Sequence, residues 1–198
     1  MLTKNKEKKL LAIHHDPLDR RHALRNPVPV KWGDDKYIGA SDSYSLILIP
    51  ENAKNRIKDV FENAVNISAI LPDDIVKVGC VALDHLQSKY DTIDRSVECE
   101  SCDGSGKFEH HDYEYECKPC NGTGYIPNPV KCVIFGFATS LGNLGRLIIT
   151  SKIVACQTIA IYTSKKSKSA IFCQMEHGVW VLLSIVALEE SDDRVVVC

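Results

Sequence analysis

Four cysteines stand where their side chains could act together. Cys99-Glu-Ser-Cys102-Asp-Gly104-Ser-Gly106 is followed by Cys117-Lys-Pro-Cys120-Asn-Gly122-Thr-Gly124, and both copies read CxxCxGxG. Two cysteines three positions apart can grip one metal ion from a tight knuckle, and two knuckles supply the four thiolates of a closed tetrahedral zinc site with Zn–S of about 2.3 Å. Four such ligands leave no open coordination position, so the predicted zinc, one per chain, is structural. The glycine pair after each knuckle permits φ > 0 and lets backbone amides approach the sulfurs without a Cβ in the way. Disulfides or free thiols are the competing readings for nine cysteines, but the odd number and the strict repeat favour a metal. Cys80, Cys132, Cys156, Cys173 and Cys198 have no ligand spacing. Of these, Cys80, Cys156 and Cys173 lie in apolar runs, where a free thiol behaves as a small hydrophobe, and all five are read as core residues or bystanders.

Between the knuckles, Phe108, Tyr113 and Tyr115 alternate with Glu109, Asp112, Glu114 and Glu116, a pattern that reads as a short hairpin. Its carboxylates repel phosphates, so its aromatics are better suited to protein than to nucleic acid. Four thiolates already saturate a structural site, which leaves His110 and His111 as surface residues. The double motif resembles the cysteine-rich zinc region of DnaJ-type co-chaperones, over about 26 residues. That family carries four repeats and two zincs, whereas this chain has two repeats, hence one zinc, and no His-Pro-Asp tripeptide of a J domain. The resemblance therefore implies a metal module more than a co-chaperone activity.

The elements that must position this module are those of an ordinary globular chain. With 198 residues, 44% hydrophobic and 25% charged, there is enough for one well-cored domain and an appendage, and collagen-like or disordered classes are excluded. Residues 27–32 and 36–40 read as strands around Gly33-Asp-Asp35, and residues 43–49 as a third strand stopped by Pro50. Residues 51–66 place Ile57, Val60, Phe61 and Ala64 at helical spacing. Asp73 is expected to cap a second helix reaching Ser88 through Val76, Cys80, Leu83 and Gln87. Beyond the cysteines, 130–137 reads as one strand, 140–154 as a helix, and 157–164, 169–175 and 179–188 as an antiparallel meander. The predicted fold class is α+β, an antiparallel sheet with helices on one face, interrupted by a small zinc-knuckle hairpin. The expected divisions are a basic segment at 1–20, the α+β domain at 21–96 and 129–190, the insert at 97–128 and a tail at 191–198.

Arg21-His-Ala-Leu24, then Lys36-Tyr-Ile-Gly-Ala40, the turn Ser41-Asp42-Ser43-Tyr44 and the apolar strand to Pro50 resemble the bacterial DNA polymerase III beta, or sliding-clamp, family. There the turn commonly reads Thr-Asp-Gly-His; here Ser41, Ser43 and Tyr44 replace three of those residues. The order of the later elements, through Val181-Leu-Leu-Ser-Ile185, is also similar to the closing half of a clamp domain. The resemblance implies a DNA-clamp-like fold that encircles duplex DNA with Lys and Arg on helices facing a central hole, attracting phosphates without reading bases. On that implication the DNA-binding candidates are Lys54, Arg56, Lys58, Arg146 and Lys152, and the expected partners are duplex DNA, replication proteins and further copies of the chain. A clamp chain has three such domains and this chain about one, so a ring would need more subunits.

Charge is unevenly distributed: eight Lys/Arg against three Asp/Glu up to Lys31, in a chain of formal charge −2. The Lys-rich start reads as a soluble tail. It lacks the apolar run of a secretory signal, and no apolar stretch is long enough for a bilayer, so a cytoplasmic protein with no membrane partner is expected. No P-loop, GxGxxG, HExxH or GxSxG motif occurs. His14-His15-Asp16 and Asp73-Asp74 supply acid and base types, yet capping and solvation account for them. The expectation is a non-enzymatic, DNA-replication-associated, clamp-like protein with no small-molecule substrate. The alternative is a DnaJ-like zinc-knuckle adaptor that binds proteins without DNA.

Overall fold

The computed structural model describes residues 2–51, 70–111, 113–166, 168–189 and 193–198. Along the chain the elements are α1 (Lys4–Ile13), α2 (His22–Arg25), β1 (Val28–Trp32), β2 (Asp35–Ser41), β3 (Ser45–Pro50), β4 (Ile75–Ala82) and α3 (Leu83–Asp91). The cysteine region holds β5 (Ser96–Glu98), β6 (Lys107–His110), β7 (Tyr113–Glu116) and β8 (Tyr125–Pro127). Then come β9 (Lys131–Ile134), β10 (Phe137–Ser140), α4 (Leu141–Val154), β11 (Thr158–Ser164), β12 (Ala170–Gln174), β13 (Trp180–Ser184) and β14 (Arg194–Val196).

Seven strands form one wholly antiparallel sheet in the order β1-β2-β3-β13-β12-β11-β4. Its first hairpin is the one the sequence predicts. Gly33 at φ +60 opens a two-residue turn between the paired Trp32 and Asp35, and a glycine at that position suits the tight hairpin turn. Side chains alternate across the sheet. Ile47, Ile49, Ile171, Cys173, Val181 and Leu183 face α1, α3 and α4 through Leu10, Leu86, Leu144 and Leu147. Leu46, Leu48, Phe172, Trp180 and Leu182 face the other way into a second apolar cluster with Val28, Val30 and Tyr37. The α+β arrangement with helices against one face is therefore as expected.

Three stretches differ from the sequence reading. Residues 75–82 are a strand, not the first half of a helix. Ile75, Val76, Val78 and Val81 are β-branched, and Gly79 weakens a helix by about 1 kcal/mol. A Cβ at Gly79 would also overlap the Phe135 ring, so close packing decides that residue. The helix begins only at Leu83, and Cys80, read as a core residue or a bystander, is exposed on β4. Residues 130–137 are not one strand: Phe135 and Gly136, both at positive φ, turn the chain from β9 into β10. Phe is an uncommon residue in that conformation, so no turn signal marked the break.

The Lys-rich start is a docked helix and not a loose tail. Thr3 caps α1 by accepting from the Lys6 N–H, and Leu10 is fully buried. The last residues also pair, with β14 running parallel to β9. The helix expected at 51–66 lies outside the described residues. No helix among the described residues is long and apolar enough to cross a membrane.

Candidate metal centre

The two CxxCxGxG copies fold alike and exchange backbone partners. The Cys99 N–H donates to Gly124 O and the Cys117 N–H to Gly106 O, both at 2.8 Å. Within each copy the first glycine amide closes onto the first cysteine's carbonyl, Gly104 on Cys99 at 3.2 Å and Gly122 on Cys117 at 3.0 Å. Ser105 Oγ and Thr123 Oγ1 each donate to the carbonyl of the second cysteine, at 2.7 Å. The entry strand of one copy pairs with the exit strand of the other, β5 with β8 and β6 with β7. Two knuckles thereby face each other across an approximate two-fold.

This arrangement brings all four thiols together. Sγ atoms of Cys99 and Cys117 are 3.7 Å apart and those of Cys102 and Cys120 3.8 Å, with every pair within 4.8 Å and all four residues buried. Tetrahedral ligands on bonds of about 2.3 Å are about 3.8 Å from one another. A disulfide needs about 2.05 Å, so these are free thiols spaced as a coordination shell, able to hold a metal ion. The amides of Gly106 and Gly124 point at Cys102 Sγ and Cys120 Sγ, at 3.2 and 3.3 Å, where they would stabilise thiolates.

The second glycine of each copy is demanded by its surroundings. A Cβ on Gly106, at φ +75, would run into the carbonyl oxygen of Gly122, and one on Gly124, at φ +78, into that of Gly104. Gly104 is roomier, its nearest neighbour being the Glu98 side chain at 3.4 Å. Gly106→Ala is therefore expected to weaken metal binding on the order of 10–100-fold, and Gly104→Ala less. Competition against a chromophoric chelator measures both. Equal affinities in the wild type and Gly106→Ala would contradict this account of the repeat.

The intervening hairpin forms as predicted, with Phe108 opposite Tyr115 and His110 opposite Tyr113. Phe108, Tyr113 and Tyr115 are all exposed. Lys107 Nζ donates to Glu114 Oε2 at 2.7 Å, which raises the lysine pKa. The rings of His110 and His111 lie 4.1 Å apart on the surface, outside the thiol cluster.

Of the basic residues singled out for DNA, Lys54, Arg56 and Lys58 lie outside the described residues. Lys152 is exposed on α4. Arg146, on the same helix, is committed elsewhere: its Nη2 meets Asp42 Oδ2 at 2.7 Å and its Nη1 donates to Asn143 Oδ1 at 3.1 Å.

Asp42 anchors a polar node that the sequence did not signal. Its Oδ1 accepts from the Tyr44 N–H at 3.0 Å, the Ser45 N–H at 2.8 Å and Ser45 Oγ at 3.0 Å. Ser45 Oγ in turn lies 2.9 Å from His14 Nδ1, and His14 Nε2 lies 2.9 Å from Thr150 Oγ1. His14, expected at the surface, is fully buried. Burial pushes its pKa down to about 4, with Asp42 opposing the shift and Arg146 adding to it. Leu10 and His14, one helical turn apart at the end of α1, were the available clue. The node ties α1, the turn at Asp42 and α4 into one unit.

No protein-family model matches the chain. No curated protein matches it either. Among solved structures, the fold is similar to DNA polymerase III subunit beta from Pseudomonas aeruginosa, with TM-score 0.53 and 10% identity over 92% of this chain and 65% of that one. The DNA polymerase III beta chain from Streptococcus pneumoniae gives TM-score 0.55 and 8% identity over 94% and 65%. The Thermotoga maritima beta subunit gives TM-score 0.51 and 11% identity over 95% and 64%. The chain spans just under two thirds of the length of these proteins. At such identities the likeness is one of fold, and the fold is sliding-clamp-like.

Proposed function

We propose that the chain is a non-enzymatic, clamp-like protein that associates with duplex DNA during replication and carries one structural zinc. The observation that carries this reading is the seven-stranded antiparallel sheet with helices on one face, similar to DNA polymerase III beta subunits over more than nine tenths of the chain. In this reading Lys152, with Lys54, Arg56 and Lys58, supplies phosphate attraction without base readout. Arg146 contributes less, because Asp42 already neutralises it. The four cysteines hold zinc and staple the hairpin, and α1 braces α4 through His14 and Thr150.

Retention of duplex DNA on a column, followed across salt concentrations, tests the proposal. Lys152→Glu combined with Lys54→Glu and Arg56→Glu is expected to abolish retention and flatten its salt dependence. Arg146 is left in place there, since its loss would break the Asp42 pair and confuse folding with binding. Unchanged retention in the triple variant, or none in the wild type at low salt, would overturn DNA association. The native particle mass, with zinc counted in the same sample, separates a closed oligomer from a monomer.

A second reading has its own observation. Phe108, Tyr113, Tyr115 and Tyr125 are all exposed on the cysteine module beside Glu109, Glu114 and Glu116. Such a surface suits a protein partner, and in an adaptor the module would carry binding with no DNA. Loss of a protein partner on Phe108→Ala with Tyr115→Ala, in a chain that does not retain DNA, would favour it.

A further inference from the structure

The chain has two tryptophans, Trp32 and Trp180, and both line one cavity of about 260 Å³. It opens on the sheet face away from α1, α3 and α4, because Trp180 and Tyr37 belong to the apolar cluster on that side. The two indole rings stand edge to face, centroids 5.0 Å apart at 67°. Tyr37 adds a third ring, 6.4 Å from Trp32 and tilted by 49°. Trp32 is held in place by its indole N–H, which donates to Pro72 O at 3.0 Å. Among the described residues lining the cavity the charged ones are Asp35 and Asp73, both exposed carboxylates.

Trp32 is half-buried at the opening while Tyr37 and Trp180, each 8% exposed, form its floor, and an indole with acids beside it favours one class of guest. Ring faces attract cations, by about 0.5–1 kcal/mol at exposed sites and more when desolvated. The two carboxylates add attraction for positive charge and repel phosphates and carboxylates. The volume is below the roughly 300–1,000 Å³ of cavities that hold drug-sized ligands or cofactors, and so suits a single side chain. A guanidinium uses both features: it stacks flat on indole while its N–H groups reach carboxylates, which a compact, strongly hydrated ammonium does less well. We infer that this cavity receives an arginine side chain presented by a partner protein. This surface is separate from the cysteine module.

Because both tryptophans line the cavity, intrinsic emission reads it directly. The zinc-loaded full chain would be titrated with N-acetyl-arginine amide, with its uncharged citrulline counterpart, and with tetramethylammonium. The expected result is a saturable change in tryptophan emission with the arginine compound and none with citrulline. In Asp35→Asn/Asp73→Asn, whose thermal melt is expected to be unchanged because both side chains are exposed, the arginine affinity should fall at least tenfold. Four results would overturn the inference. These are no saturable response to arginine, an equal response to citrulline, an undiminished affinity in the folded double variant, or saturation by tetramethylammonium at concentrations where arginine gives none.

Discussion

Cys102→Ser is expected to release about one zinc per chain and to melt the cysteine module while the main sheet stays folded. The four thiols pack as a cluster of their own, joined by Ile126, apart from the two clusters that hold the sheet. The module's strands are short, and those of the central hairpin are exposed throughout, so little apolar burial would remain once a ligand is gone. Structural zinc contributes on the order of 10 kcal/mol to small modules of this kind, and three thiolates hold it far less well than four. Metal analysis of the purified variant measures the loss. Emission from Trp32 and Trp180, both in the main sheet, reports on that unit alone. Full zinc retention would contradict the ligand assignment, and collapse of the tryptophan signal would contradict the independence of the module.

Acidification is expected to remove on the order of 3 kcal/mol of stability through His14 alone. Its folded pKa, about 4, lies well below the ordinary histidine value of 6.5. The unfolded chain therefore binds a proton that the folded one refuses. The contribution is complete above about pH 6.5 and is lost as pH falls from there through about 4, at a limiting slope of about 1.4 kcal/mol per pH unit. Protonation would place a charge between Ser45 Oγ and Thr150 Oγ1, at the junction of α1 with α4. Urea midpoints followed by tryptophan emission at several pH values, in the wild type and in His14→Gln, isolate the term, because the acidic residues shared by both proteins cancel. The variant should be less stable at pH 7.5 and should lose less on acidification. Parallel pH profiles would rule out His14 as the source.

Much of this architecture is readable along the chain. The hairpin at Gly33 and the meander after Cys156 declare themselves because each strand is a short β-branched or apolar run ended by turn residues. The helix from Leu141 declares itself through its buried stripe of Leu144, Leu147 and Ile148, with Ser140 capping. The readings that failed did so where a local pattern was ambiguous and a distant contact resolved it. Val76 and Cys80 continue the helical stripe of Leu83, but pairing with β11 and the Phe135 ring against Gly79 select a strand up to Ala82 and leave Leu83 to start α3. Lys4 to Lys9 looks like a solvated tail until Leu10 finds the core.

The cysteine module was determined by sequence alone. Its ligands, its glycines and its hairpin all fall within 26 residues, so spacing and backbone conformation, which are local, suffice to specify it. The polar node and the aromatic cavity were decided by tertiary structure. His14 meets Thr150 across 136 positions, and Trp32 on β1 meets Trp180 on β13, with β2 and β3 lying between them in the sheet. Such contacts depend on which strands become neighbours. That choice is made by burying both faces of one sheet at once, a collective property that no window of residues carries.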